Sequence, residues 1–235
     1  MTLQEEAQAG IERARNMKRE RAAKRRESSG EAIAIKAPTI NYVAIGIRGT
    51  APYVTNKFSE EMKAKMRAQQ EEGRTSKSRK TRDPKDFDEK AKQTMHVSTA
   101  GWVGIPASAI RSGMIDACRL VGYKMTMAKM SVFVKPDGFD KDDGTALVKF
   151  TKGKPHQCEH YVRLANGSAD IASRMMFDAG WEAKVTIGYD AEQFRVEDVT
   201  NLLARVGIQV GIGAGRPFSK ESGGMGWGVF EVITD

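Results

Sequence analysis

Cysteine is almost missing from this 235-residue chain, which holds only Cys118 and Cys158. Two thiols cannot build a disulfide framework, so the small stapled secreted scaffolds are excluded and a reducing, cytoplasmic setting is expected. Histidine is confined to His96, His156 and His160, which leaves few ways to assemble a metal centre or an acid–base pair. No apolar run approaches the ~20 residues that span a bilayer. Glu5, Glu6 and Glu12 near the start are foreign to a secretory signal, so no membrane partner is expected. A Walker loop is excluded because G-x-x-x-x-G-K-[ST] never occurs, and no serine-nucleophile motif or solenoid repeat is present.

Positive charge is what the chain has in excess. Thirty-eight Lys and Arg against 30 Asp and Glu give a formal net charge of +8, favouring polyanionic partners, nucleic acid first. Two stretches concentrate it. Residues 1–36 form a charged arm whose segment RARNMKRERAAKRRE is rich in helix formers but poor in apolar anchors. It is either a solvated helix or, through Lys24, Arg25 and Arg26, an arm that lies on nucleic acid or a neighbouring subunit. The run from Gly73 to Lys92 is nearly devoid of apolar residues and reads as a mobile basic loop or finger. Within it Arg74, Lys77, Arg79, Lys80 and Arg82 precede any compensating acid, a pattern that suits either solvation or tracking of a phosphate backbone.

The remaining residues, 37–235, read as one domain. Ile40 to Arg48 is a β-branched strand, and Ser59 is positioned to cap a helix running to Glu72. Gly104-Ile105-Pro106 opens a helix with an apolar face of Ile110, Met114, Ile115 and Cys118, closed by Gly122. Met125 to Val134 reads as the next strand, and Phe139 to Gly180 as short strands or hairpins. Trp181 to Asp190 alternates Ala183, Val185, Ile187 and Tyr189 on one face. From Val196 the period changes: Val199, Leu202, Leu203 and Val206 mark an amphipathic helix that Gly207 is expected to stop. A glycine-rich loop then leads to a last strand near 228–233. The order β-α-β-β-α-β predicts an α+β, ferredoxin-like antiparallel sheet with both helices on one face. Insertions fall at about 49–103 and 137–180, and the open face is left for a ligand or for elaboration.

Gly211-Ile212-Gly213-Ala214-Gly215-Arg216 and Gly226-Trp227-Gly228-Val229-Phe230-Glu231-Val232 follow the last helix. This segment resembles the closing motif of the RAMP superfamily, the repeat-associated proteins of CRISPR systems. NYVAIGIRGTAPYVTNKFSEEMK is similar to the opening of that superfamily's backbone subunits. The chain also resembles small basic proteins common in bacteriophage genomes, so a phage-encoded relative is implied. The likeness covers about 55 residues in detail and the rest as topology. It implies binding of single-stranded RNA or DNA without sequence preference, along a homo-oligomer or filament.

Read without the resemblance, the glycines cannot form a dinucleotide fingerprint, because a helix precedes them and a strand follows. They bring a flexible backbone beside Arg216 and Lys220, either to pack on the helix or to let amides and cations approach phosphates. Trp227 either stacks a base or packs on the last helix. Lys57, ahead of the first helix, and Arg111, inside the 105–121 helix, complete the candidate nucleic-acid contacts. His156, Cys158 and His160 alternate on a strand but lack a fourth metal ligand, and Asp137, Asp140, Asp142 and Asp143 lack EF-hand register and read as a turn. No metal, cofactor or catalytic residue is assigned. Three readings compete: a non-enzymatic single-strand binder that oligomerises, a structural or virion assembly protein, and a RAMP-type metal-independent endoribonuclease. The last would use His96 as acid or base, but no partner for it is visible in the sequence.

Overall fold

The computed structural model describes Met17 and Glu20, residues 36–71, Gly73, 86–163, 169–219 and 224–233. Apart from Met17 and Glu20, both helical, the expected arm helix lies outside the described residues, as do the cations Arg74, Lys77, Arg79, Lys80 and Arg82, and Lys220. Contacts divide the chain into Met1–Pro38 and Thr39–Asp235, and the second unit is described below.

Strand β1, Ile40–Gly49, points Ile45 and Ile47 inward and Tyr42, Ala44 and Arg48 outward, the period-2 pattern of a half-buried strand. After the short β2, Tyr53–Val54, helix α1 spans Glu60–Glu71 and buries none of its side chains. The Met62 N–H donates to Ser59 Oγ (3.3 Å), the expected cap, and Glu61–Lys65 and Arg67–Glu71 pair along the surface. Part of the stretch expected to be a loop is ordered otherwise. Phe87–Gln93 forms helix α2, because Asp86 Oδ1 accepts from the Glu89 N–H (3.1 Å) and Ala91 buries completely.

Strands β3, His96–Val97, and β4, Val103–Pro106, lead into helix α3, Ala107–Leu120. Its buried face, Ile110, Met114, Ile115 and Cys118, is the one that the sequence periodicity marks, and Gly122 follows with φ +70°. The expected strand over 125–134 is half helix. Met125–Ser131 is helix α4 and only Val132–Lys135 is strand β5. Met, Ala and Lys are good helix formers, and β-branched residues begin only at Val132. Then come β6 (Gly138–Phe139), β7 (Ala146–Lys152), β8 (Pro155–Arg163), β9 (Ala169–Phe177), β10 (Glu182–Asp190), α5 (Val196–Arg205) and β11 (Phe230–Ile233).

The central strands stand in the order β11-β1-β10-β5, each pair antiparallel, which is the ferredoxin-like arrangement. The sheet is larger than the expected four strands. β5 covers only Thr186–Tyr189 of β10, so the edge at Glu182–Ala183 remains open, and β7 pairs there. β4, β3 and β6 add on through β7, so both insertions extend the same sheet and leave less of its edge bare. A second sheet, β2-β9-β8, is joined to the first by an aromatic cluster. Phe150 stacks on Phe177 at 4.2 Å, and Tyr53, Trp181 and Phe230 close round them, with the Trp181 N–H donated to the Ala51 carbonyl (2.9 Å).

Gly207 does not stop the last helix. The chain runs on through a π-helical turn, Val206–Val210, and turns out at Gly211 with φ +71°. Gly207 is needed for contact: a Cβ there would lie 2.0 Å from the Phe230 carbonyl oxygen, so β11 packs directly on its backbone.

Candidate functional site

Pro106 ends β4 and starts α3, so the first turn of α3 sits beside the loop that leaves the π turn at Gly211. Between them opens a cleft of about 420 Å³. One wall is the face of α3 carrying Ser108, Ser112 and Asp116 at four-residue spacing, on a helix whose start has no side-chain cap. The other is the backbone of Gly211–Gly213 with Arg216, and Asn56 and His96 close the end. Arg216 is held loosely, Nη1 donating to the Gly213 carbonyl at 3.4 Å. The loop owes its shape to glycine. Gly228 has φ +69°, and a Cβ there would lie 1.7 Å from the Ile212 carbonyl oxygen.

Behind His96 lies a buried charge network that sequence reasoning did not find. Asp140 is wholly buried. Its Oδ1 accepts from Lys57 Nζ (2.7 Å) and from the Asp142 N–H (2.9 Å), while Oδ2 lies 3.0 Å from His96 Nδ1. Lys57 Nζ also donates to Asp142 Oδ2 at 2.6 Å. Burial pulls the lysine's pKa down, but the two carboxylates outweigh it and the net direction is up. Burial raises the Asp140 carboxyl, yet the Lys57 ammonium, the Asp142 N–H and His96 hold it below the usual range. Burial pushes the His96 imidazole down against the pull of Asp140.

Of the aspartates read as a turn, Asp140, Asp142 and Asp143 do make one, between β6 and β7, while Asp137 precedes β6, and that turn also delivers Asp140 to His96. No spacing in the sequence links residues 44 positions apart. Their pairing depends on the β3–β4 and β4–β7 registers. Among the described residues one group of three could hold a metal, His96, Asp140 and Asp143, and the Lys57 ammonium already occupies an Asp140 oxygen.

The candidate contacts do not converge. Lys57 is a correction: its side chain is 3% exposed and bound to two carboxylates, so it is not a free cation for phosphate. Arg111 lies at the β5 edge, donating to the Val132 carbonyl (2.8 Å) and to that of Lys129, with its guanidinium 5.6 Å from the Phe133 ring centre. Trp227 packs edge-on to His160 of β8 (5.1 Å, 89°) and against Gly215, rather than on the last helix. Of the described candidates, only Arg216 lines the cleft.

No family model and no curated protein matches this sequence. Among solved structures, the chain is similar to one in "Cryo-EM structure of the Type III-B Cmr-beta bound to cognate target RNA", at 14% identity and a TM-score of 0.42. The similarity covers 83% of this chain and 59% of that one.

Proposed function

We propose that this protein binds single-stranded RNA or DNA without reading its sequence, oligomerises along it, and performs no chemistry on it. The observation that carries this reading is the cleft, where Arg216, the Gly211–Gly213 backbone and the first turn of α3 face one another. A guanidinium donates bidentately to phosphate, and a helix start offers unpaired N–H groups to the same anion. Neither contact depends on the base, and the +8 net charge favours a polyanion over a small neutral ligand.

The test is a salt titration of binding to single-stranded RNA, single-stranded DNA and duplex by fluorescence anisotropy, with light scattering for particle size. Single strands bind, affinity falls with salt, and particles lengthen with the strand. Arg216→Ala weakens binding and makes the log–log salt slope shallower by roughly 0.7, one phosphate contact. Absence of salt-dependent binding to any strand overturns the reading in favour of a structural assembly protein.

A specific observation favours a second reading, metal-independent RNA cleavage. His96 lines the cleft with Nδ1 engaged by Asp140, which leaves Nε2 as the ring atom able to take the proton of a ribose 2′-hydroxyl. The 2′-oxygen would attack the adjacent phosphorus, and the 5′-oxygen would leave with a proton taken from water, giving a 2′,3′-cyclic phosphate and a 5′-hydroxyl. RNA shortened in the presence of a chelator by the wild type, but not by His96→Ala, is the result that replaces the non-enzymatic reading.

A further inference from the structure

The sheet has a face that the helices do not cover. On it the register places Tyr42 of β1, Gly188 of β10 and Phe133 of β5 in one row: Tyr42 pairs with Gly188, and Gly188 with Phe133. Both rings are open to solvent, Tyr42 at 65% and Phe133 at 39% exposure. Gly188 sets their posture. A Cβ there would lie 2.8 Å from a Tyr42 ring carbon, so the missing side chain lets the tyrosine lie down over the middle strand. Phe133 is fixed from its other side by Arg111, whose hydrogen bonds to the Val132 and Lys129 carbonyls anchor the guanidinium near the ring. The result is two exposed aromatic rings in one row, carried by outer strands about two strand spacings apart, ~9–10 Å.

Each of the next rows carries one cation. Ala44, Thr186 and Lys135 form the second row, and Ile233, Gly46 and Lys184 the third. The carboxylates on this face stand at its ends. Glu182 is engaged by Arg48 (2.9 Å) and Lys152 (3.4 Å), Glu231 is paired in register with Arg48, and Asp190 accepts from the Glu192 N–H. Exposed rings beside Lys135, Lys184 and Arg111 do not make the continuous apolar patch that a protein partner covers. They suit a ligand that is flat and apolar on its bases and anionic along its backbone.

We propose that Tyr42 and Phe133 are a stacking platform for the bases of a single-stranded nucleic acid, with Lys135 and Lys184 beside its phosphates. Antiparallel four-stranded sheets that stack bases on exposed aromatics show that the geometry is sufficient. The inference rests on the proposed binding of single strands and adds a second contact surface, on the face of the sheet away from α3 and the cleft.

The test uses the full chain and two probes of equal length, oligothymidylate and the same phosphodiester strand with abasic sites. Tyr42→Ala and Phe133→Ala each lower affinity for oligothymidylate by roughly 5- to 150-fold, the range of 1–3 kcal/mol per stacked base. They leave the salt slope and the affinity for the abasic strand unchanged, and Tyr42→Trp restores binding. Circular dichroism and thermal unfolding establish that the exposed substitutions leave the fold intact. If the wild type and both variants bind oligothymidylate equally while Arg216→Ala weakens it, the platform is refuted and the cleft stands. Equal losses on both probes refute stacking, as does a change of particle size without a change of affinity, which would mark the face as a subunit interface. Failure of the wild type to bind these strands and oligouridylate of the same length refutes the function and the platform together.

Discussion

Removing the Lys57 ammonium tests whether this lysine is a structural counter-ion rather than a phosphate ligand. Lys57→Met keeps most of the side-chain volume and takes away the charge. It leaves Asp140, wholly buried, with the Asp142 N–H and His96 as its remaining partners. Breaking a buried pair by deleting one partner costs about 3–5 kcal/mol, a large share of the ~5–15 kcal/mol by which a domain is stable. Urea unfolding followed by tryptophan fluorescence measures it. Asp140→Asn in the same molecule removes the orphaned charge, so the double variant is more stable than the sum of the single losses predicts, by about 1–3 kcal/mol.

The pH dependence carries a sign of its own. In the wild type Asp140 titrates below its ordinary value, so its contribution is complete above about pH 4 and is lost as pH falls through the folded value. His96 is likewise lowered, by burial, and its contribution is complete above about pH 6.5 and lost on acidification. Lys57 is raised, and its contribution is complete below about pH 10.4 and lost as pH rises through its folded value. In Lys57→Met the buried carboxyl has lost its lysine counter-ion and its pKa moves up, so protonation relieves it. The gap between wild type and variant therefore narrows toward acid. A loss below about 1 kcal/mol at pH 7, or a gap that widens toward acid, would refute the buried-network argument and return Lys57 to the list of cations available to a phosphate.

Two further outcomes follow from the close contacts of the last helix and loop. Gly207→Ala forces a methyl group to within 2.0 Å of the Phe230 carbonyl oxygen, so thermal unfolding should show a loss of about 1–3 kcal/mol or more. Gly46→Ala, whose Cβ would meet Ile233 at 3.4 Å, is the control and should cost far less. Trp227→Ala removes a half-buried ring from His160 and should cost about 1–3 kcal/mol, below the 3–5 kcal/mol of a fully buried Trp. An unchanged Tm with weakened oligonucleotide binding would make the ring a base contact instead.

The order of elements was legible because β1, α3, β10 and α5 each bury one face, and a buried face imposes a period on the sequence. Ile45 and Ile47 alternate; Ile110, Met114 and Cys118 recur at four. Where the pattern was short or mixed, it misled. MTMAKMSVFV is mostly apolar with no decisive period, and only its composition separates a helix from the strand that follows. Gly207 looked like a helix stop because sequence shows that a side chain is missing, not whether turn or contact requires it. Tertiary structure alone decided the partnerships. Asp140 reaches His96 and Lys57 because three short strands pair in one register, and Tyr42 shares a row with Phe133, 91 residues on, because β10 inserts between their strands. A periodic face is a local property written in consecutive residues. A charge pair or an aromatic row belongs to the register between segments, and no local signal in either segment carries it.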